Sequence, residues 1–368
     1  MPLSPRLAAT SFGLVPGWSE DRTAAALAAF RRSARHGLES PYRTGSLGID
    51  AASFASACRT ALDLGDADDE TARRFFEQSF MPFRVLPEEG ASGLVTGFYE
   101  PEVEASPVRT GRFAVPLLAP PDDLVKIDEA SRPAGLDPYL AFGRAEDGSI
   151  LEYHDRAAIE GGALGSRAKA LAWVEHKVDA FFIHVQGAAR LSMPDGSVMR
   201  VTYAAKSGQR FTGPGGVLAA MGEIPPEHVT MQSIRAWFRD NPHRINEILH
   251  RNRSYIFFRE AAVDDPSLGP VAAAKVPLTA GRSIAVDRLL HTFGTPVFVA
   301  APGLTAFGGD RFARLMIAQD TGSAITGVAR GDLFAGSGDA AGEIAGVVRH
   351  QADFFVLVPR ALAGAAAP

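Results

Sequence analysis

The sequence predicts a mainly β fold with accessory helices, and three observations carry that prediction. Short runs rich in β-branched and aromatic residues recur along most of the chain, with turn signals between them. Glycine (37 residues) and proline (25 residues) are generous in a chain of 368, which favours turns over a helical bundle. Helical periodicity is confined to the N-terminal quarter and to one later stretch.

In chain order, residues 20–36 combine helix-forming composition with apolar positions at helical spacing: Ala24, Leu27, Ala28 and Phe30. Further helices are expected over 51–64 and 70–78. Residues 95–105 read as a strand in which Pro101 marks an edge or a bend. Short strands follow at 113–118, 180–186, 190–193 and 198–204. Pro194-Asp195-Gly196-Ser197 is a tight-turn signal that makes the last two a hairpin. Helix returns over 230–251 and breaks at Pro242, where Asn241 should end one helix and cap the next. Strands at 255–258, 283–286, 296–300, 314–318 and 353–358 complete the series, which predicts a small barrel or sandwich.

Composition narrows the function classes. Hydrophobic residues make up 46% and charged residues 21%, as in a globular protein, and the length suits two domains with separate cores. The net charge of −5 argues against a chain that embraces nucleic acid. The single cysteine, Cys58, excludes an internal disulfide; it lies in helix-like sequence and reads as a small core residue. No apolar run approaches the roughly 18–20 residues that span a bilayer. The N-terminus shows no basic-then-apolar export pattern, so the chain either stays inside the cell or has lost an export segment. The nine histidines offer no metal-ligand spacing, and neither metal nor other cofactor is expected.

The segment from Leu315 to Gly336 is the most unusual. An apolar strand runs into a polar turn holding Asp320, then small residues, then Asp332 ahead of Leu333-Phe334. An acid between a glycine and an apolar pair can be desolvated, kept protonated and used as a general acid. Bracing of loops by Asx-type hydrogen bonds is the other reading of the same residues, and the local sequence by itself favours it. Asp287, after the strand 283–286, carries the same ambiguity.

Three blocks, 281–287 (GRSIAVD), 320–327 (DTGSAITG) and 330–336 (RGDLFAG), resemble in order the "3D" domain, named for its three aspartates, of the membrane-bound lytic transglycosylase A family. Upstream blocks match too: 96–101 (TGFYEP), 178–191 (VDAFFIHVQGAARL), 201–208 (VTYAAKSG), 231–237 and 252–260. This chain carries Gly322-Ser323 where the family more often has two glycines. The resemblance implies a double-psi β-barrel domain formed by 1–105 and 241–368. A smaller β-barrel domain would be inserted at 106–240, with glycan in a groove between the two. It implies cleavage of the MurNAc–GlcNAc β-1,4 bond by attack of the muramic C6 hydroxyl on its own C1, which leaves a 1,6-anhydro sugar. Asp332 maps to the catalytic acid, then base; Asp320, Asp287, Gly322, Ser323 and Ala324 become supporting residues. The implied partners are peptidoglycan glycan strands and other cell-wall enzymes, at the periplasmic face of an outer membrane. Membrane attachment would pass through an N-terminal segment absent from this sequence.

For binding, Thr96, Gly97 and Tyr99 are candidates to line the groove, Tyr99 either stacking on a sugar or packing in its strand. Gln186, Gly187 and Arg190 are expected as a polar turn after the 180–186 strand. Arg190 and Lys206 each read either as carboxylate ligands or as surface ion-pair partners. Two rival functions stand beside the transglycosylase. One is a hydrolytic glycosidase that uses Asp287, Asp320 or Glu100 to activate water. The other is a non-catalytic glycan-binding protein of the cell wall.

Overall fold

The computed structural model describes residues 2–128 and 130–364, which divide into two compact units: 1–99 with 266–368, and 100–265. The second unit therefore takes in 100–105 and 241–265, which the sequence reading assigned to the first. Strand pairing is the reason, because the strands at both of its ends enter its own sheet.

The first unit opens with β1 (Leu7–Ala9), α1 (Thr23–Glu39), α2 (Ala55–Leu64), α3 (Asp69–Ser79), β2 (Phe80–Val85) and β3 (Leu94–Glu100). The three helices expected from periodicity form close to their expected bounds. Asp68 caps α3, its carboxylate accepting the Thr71 amide at 2.8 Å. Phe30 of α1 meets Phe75 and Phe76 of α3 and Phe80 of β2, with ring centroids 5.8–6.0 Å away. Cys58 is buried on α2, and burial pushes its thiol up to about 11.

The second unit contains β4 (Glu102–Ser106), β5 (Val115–Leu118), β6 (Leu124–Lys126), β7 (Phe142–Glu146), β8 (Ser149–Leu151), α4 (Arg156–Glu160), β9 (Ala170–Val174) and α5 (Lys177–Gln186). It continues through β10 (Ala188–Ser192), β11 (Val198–Lys206), α6 (Pro214–Ala220), α7 (Met231–Asp240), α8 (Ile245–Leu249) and β12 (Ile256–Ala261). Its main sheet runs β12-β11-β10-β4-β9-β5, and β6-β7-β8 form a separate three-stranded sheet. Pro101 is the bend between β3 and β4, and β10–β11 is the expected hairpin, with Arg190 paired to Arg200. Asn241 ends α7 with its amide on the Trp237 carbonyl, although its side chain does not cap the turn that follows.

One element differs in kind. Residues 180–186 form the end of helix α5 rather than a strand. A short apolar run has no period that separates a strand from a helix buried on most sides, and here Ala180 to His184 are all buried. Gly187 then takes φ +78°, and its amide closes on the Ile183 carbonyl, the left-handed helix stop that glycine provides.

The chain returns to the first unit with β13 (Ser283–Val286), β14 (Pro296–Ala301), β15 (Phe312–Asp320), β16 (Arg330–Ser337), α9 (Asp339–Gly346), β17 (Arg349–Gln351), β18 (Asp353–Pro359) and α10 (Arg360–Ala363). One nine-stranded sheet runs β1-β2-β18-β14-β15-β13-β16-β3-β17. Mainly β structure with accessory helices is thus the observed class. Among the described residues both long strand orders are open, without a hydrogen-bonded pair closing either into a ring.

Candidate active site

The centre of the nine-stranded sheet places two of the three aspartates in one row. Ala285 of β13 pairs with Asp320 of β15 on one side and with Asp332 of β16 on the other. The two acids are therefore two strand spacings apart, about 10 Å between backbones. Alternation along each strand fixes which way they face. On β15, Gln319 turns to α1: its amide donates to the Ala29 carbonyl (3.0 Å) and the Ser33 hydroxyl (2.8 Å), while the Ser283 hydroxyl donates to its oxygen (2.6 Å). Asp320, one residue on, faces the other way.

The same alternation sorts β3. Thr96 and Phe98 face the side of Asp332 and Phe334: the Thr96 hydroxyl donates to Asp332 Oδ1 at 2.5 Å, and the Phe98 and Phe334 rings lie 5.2 Å apart. Gly97 and Tyr99 face α9 instead. A Cβ on Gly97 would lie 2.8 Å from Ala345 Cα, and one on Gly342 would lie 2.9 Å from the Tyr99 ring. Tyr99 is only 6% exposed, so its ring is packing for α9. Glycine at 97 is required by the helix resting on it.

Arg330 completes the cluster, and the sequence reading gave it no role. It lies two residues before Asp332 on β16, hence on the same face, and its guanidinium donates to Thr96 Oγ1 at 2.7 Å. That period-two relation is the signal that would have found it. Beneath lies a small buried apolar cluster of Phe98, Leu278, Ala285, Ile325 and Phe334. Desolvation follows. Burial pushes the Asp332 carboxyl above the usual range, while the Thr96 hydroxyl and the Arg330 charge pull it partly back. Burial raises Asp320 to about 6, against the backbone amides of Thr321 and Ala273, and the charge of Asp332 adds to the rise.

Asp287 serves the loop between β15 and β16. Its carboxylate accepts the amides of Gly327 and Leu289, both at 3.0 Å, while Ile325 anchors the loop in the apolar cluster. Gly322, Ser323 and Ala324 form the exposed tip of that loop.

The other candidates belong to the second unit. Arg190 is 12% exposed and committed internally: its guanidinium donates to Glu100 at 2.9 Å and to Glu102 at 3.1 Å. Arg200 donates to Glu100 at 2.6 Å. Glu100 is fully buried, so it is an ion-pair centre and not a base for water. Arg190 is thus an ion-pair partner, to buried Glu100 on one side and to exposed Glu102 on the other. Lys206 lies over the Tyr139 ring at 5.1 Å. Gln186, the last residue of α5, is half-buried, and Gly187 is that helix's stop. Among the described residues no group of three His, Cys, Asp or Glu is placed to hold a metal ion.

Comparison with known proteins fits this geometry to a class. Residues 94–259 match the model of the MltA specific insert domain, and 282–358 match that of the 3D domain. A crystal structure of membrane-bound lytic murein transglycosylase from Agrobacterium tumefaciens is 48% identical, covers 98% of this chain and 99% of that one, and superposes with a TM-score of 0.92. A monoclinic crystal form of MltA from Neisseria gonorrhoeae is 34% identical over 96% of this chain and 92% of that one, with a TM-score of 0.78. The membrane-bound lytic murein transglycosylase A of Escherichia coli K12 is 31% identical over 268 residues, which are 71% of this chain and 64% of that protein. The chain thus spans a little under two thirds of that curated relative.

The fold and site define a 3D-domain protein with an insert domain ahead of it. The chain belongs to the membrane-bound lytic murein transglycosylase A family.

Proposed function

We propose that this chain is a lytic transglycosylase of peptidoglycan that acts through Asp332 alone. The observation that carries the reading is the ordered relay Arg330–Thr96–Asp332. Arg330 occupies the lone-pair side of the Thr96 oxygen, so the Thr96 hydrogen points at Asp332 Oδ1. Among the described residues Oδ2 has no hydrogen-bond partner, so a proton held by the raised carboxyl resides there and is available for donation.

In this reading Asp332 protonates the glycosidic oxygen of a MurNAc–GlcNAc linkage as the C1–O bond breaks. The ionised carboxylate then takes the proton of the muramic C6 hydroxyl as that oxygen bonds to C1. The product is a 1,6-anhydromuropeptide, the proton count balances, and neither water nor a metal enters the scheme. Support also comes from the named activity of the Agrobacterium relative, which matches nearly the whole chain. The proposed setting is the periplasmic face of the envelope, with glycan strands as substrate, in keeping with the membrane-bound relatives. No described helix is long and apolar enough to cross a membrane.

One observation favours a second reading. Asp320 and Asp332 share one row with backbones about 10 Å apart, a placement in which Asp320 could activate water as the second carboxyl of an inverting glycosidase does. Mass spectrometry of digested sacculi separates the two. Anhydro ends that disappear in Asp332→Asn, with turnover down by about 100- to 10,000-fold, are expected. Reducing ends would select the hydrolase, and an Asp332→Asn variant with near-normal turnover would end both assignments.

A further inference from the structure

We propose that the first unit holds a binding site for an oxyanion, a carboxylate or phosphate group on a small ligand, centred on Arg314 and Arg22. Arg314 is the third residue of β15 and Asp320 its last, so six residues, about 20 Å of strand, separate this place from the aspartate row. A cavity of about 740 Å³ opens there, lined by Glu20, Asp21, Arg22, Arg282, the 307–311 loop, Ala313 and Arg314. That volume suits a small molecule rather than a lone ion.

The charges around the cavity do not balance within the protein. Four arginines (22, 282, 311 and 314) face three acids (Glu20, Asp21 and Asp310) in a chain whose overall charge is negative. Two of those acids are spent. Both Asp21 oxygens accept from Arg282 at 2.8 Å, and one also takes the Leu315 amide at 2.7 Å. Both Glu20 oxygens accept from Arg311, at 2.7 and 2.6 Å. Asp310 is exposed and remains against two cations.

Arg314 is the less usual of the two. It is half-buried, and among the described residues no carboxylate forms an ion pair with it. Its guanidinium donates to the Phe307 carbonyl at 2.8 Å and lies against the Phe307 and Phe312 rings. Burial lowers its pKa and the neighbouring Arg282 charge lowers it further, while the Asp21 charge offsets part of this. One carbonyl uses one of five donors, so a planar fork is held in place by two rings with most of its hydrogen-bonding capacity unspent. An incoming oxyanion would supply acceptors and offset the repulsion between the arginines. Exposed Arg22 adds a second cation at the rim, and Gly308 and Gly309 bring no side chain to block entry.

This inference stands apart from the glycan chemistry, because no residue of the aspartate row lines the cavity. The ligand's acid can come from a peptide carboxylate of the cell wall or from a free anion. Titration calorimetry of the full chain with inorganic phosphate and, separately, with a muropeptide-derived tripeptide distinguishes them. At least one probe should bind, with affinity weakened tenfold or more in Arg314→Gln, several-fold in Arg22→Gln, and unchanged in Asp332→Asn. Binding of the tripeptide alone assigns the peptide carboxylate, and binding of phosphate alone assigns a free anion. Exposed Arg22 carries the test by itself if Arg314→Gln does not fold. Absence of binding by both probes, or binding that survives in every arginine variant that folds, would overturn the proposal.

Discussion

Two carboxylates, Glu100 of the second unit and Asp332 of the first, meet opposite fates. Glu100 is enclosed by charged donors: Arg200 reaches it at 2.6 and 3.1 Å and Arg190 at 2.9 Å. Asp332 receives one neutral hydroxyl at 2.5 Å, with the Arg330 charge held one atom further off behind Thr96. Both are withdrawn from solvent, Glu100 fully and Asp332 in part. What differs is how directly positive charge compensates that withdrawal. Glu100 is gripped by two guanidinium groups and spent on structure, whereas Asp332 retains a raised pKa and an oxygen for chemistry.

The largest effect should come from breaking the Glu100 side of that comparison. Glu100→Gln leaves Arg190 and Arg200 around a neutral amide in a fully buried place, and should cost about 3–5 kcal/mol. Urea unfolding would show this as a lower midpoint. The same exchange at Asp332 should leave the midpoint unchanged or raise it, because an amide removes a charge that burial already disfavours. Equal losses at both positions would mean that the two carboxylates are structural alike.

Much of the fold was legible in the sequence, because α1, α2, α3 and most strands carry their own period or turn chemistry. The misread element is α5, whose Ala180–His184 run is buried all along and so lacks a polar face to betray its pitch. At the site, legibility ended where partners come from far along the chain. Arg190 stays open in sequence between a ligand carboxylate and a surface ion pair because Glu100 lies ninety residues away, and Thr96 meets Asp332 across 236 residues. Gly97 and Tyr99 sit beside Thr96 in sequence, yet the strand turns them to α9, a helix the sequence reading did not anticipate. Asp332 itself was one acid among three until the family resemblance ordered them.

A smaller effect tests the relay. Thr96→Val removes the hydroxyl between Arg330 and Asp332 while keeping the branched shape of the strand residue. Turnover should fall about tenfold, less than the roughly 100-fold or more lost with a donor that meets the reacting charge itself, because Thr96 acts through Asp332. Because the hydroxyl lowers the Asp332 pKa, its loss should move the alkaline limb of the pH–rate profile upward. A fall in turnover with no movement of that limb would assign Thr96 to packing alone.

The finest test concerns Asp320, whose carboxyl is raised to about 6. Its coupling to Asp332 is mutual, so an ionised Asp320 holds the Asp332 proton more tightly. Asp320→Asn should therefore shift the alkaline limb toward acid by less than about one pH unit. The stability sign is opposite to that of a salt-bridged acid. A carboxyl whose folded pKa is raised contributes most below its unfolded value, about 3.9, and loses that contribution as pH rises through about 6. Wild-type melting temperature should thus fall between pH 4.5 and 7.5 by more than that of Asp320→Asn. A limb that moved without this narrowing would place the charge of Asp320 in the reaction but not in the folding balance; narrowing without a shift would make it a buried acid with no hold on Asp332.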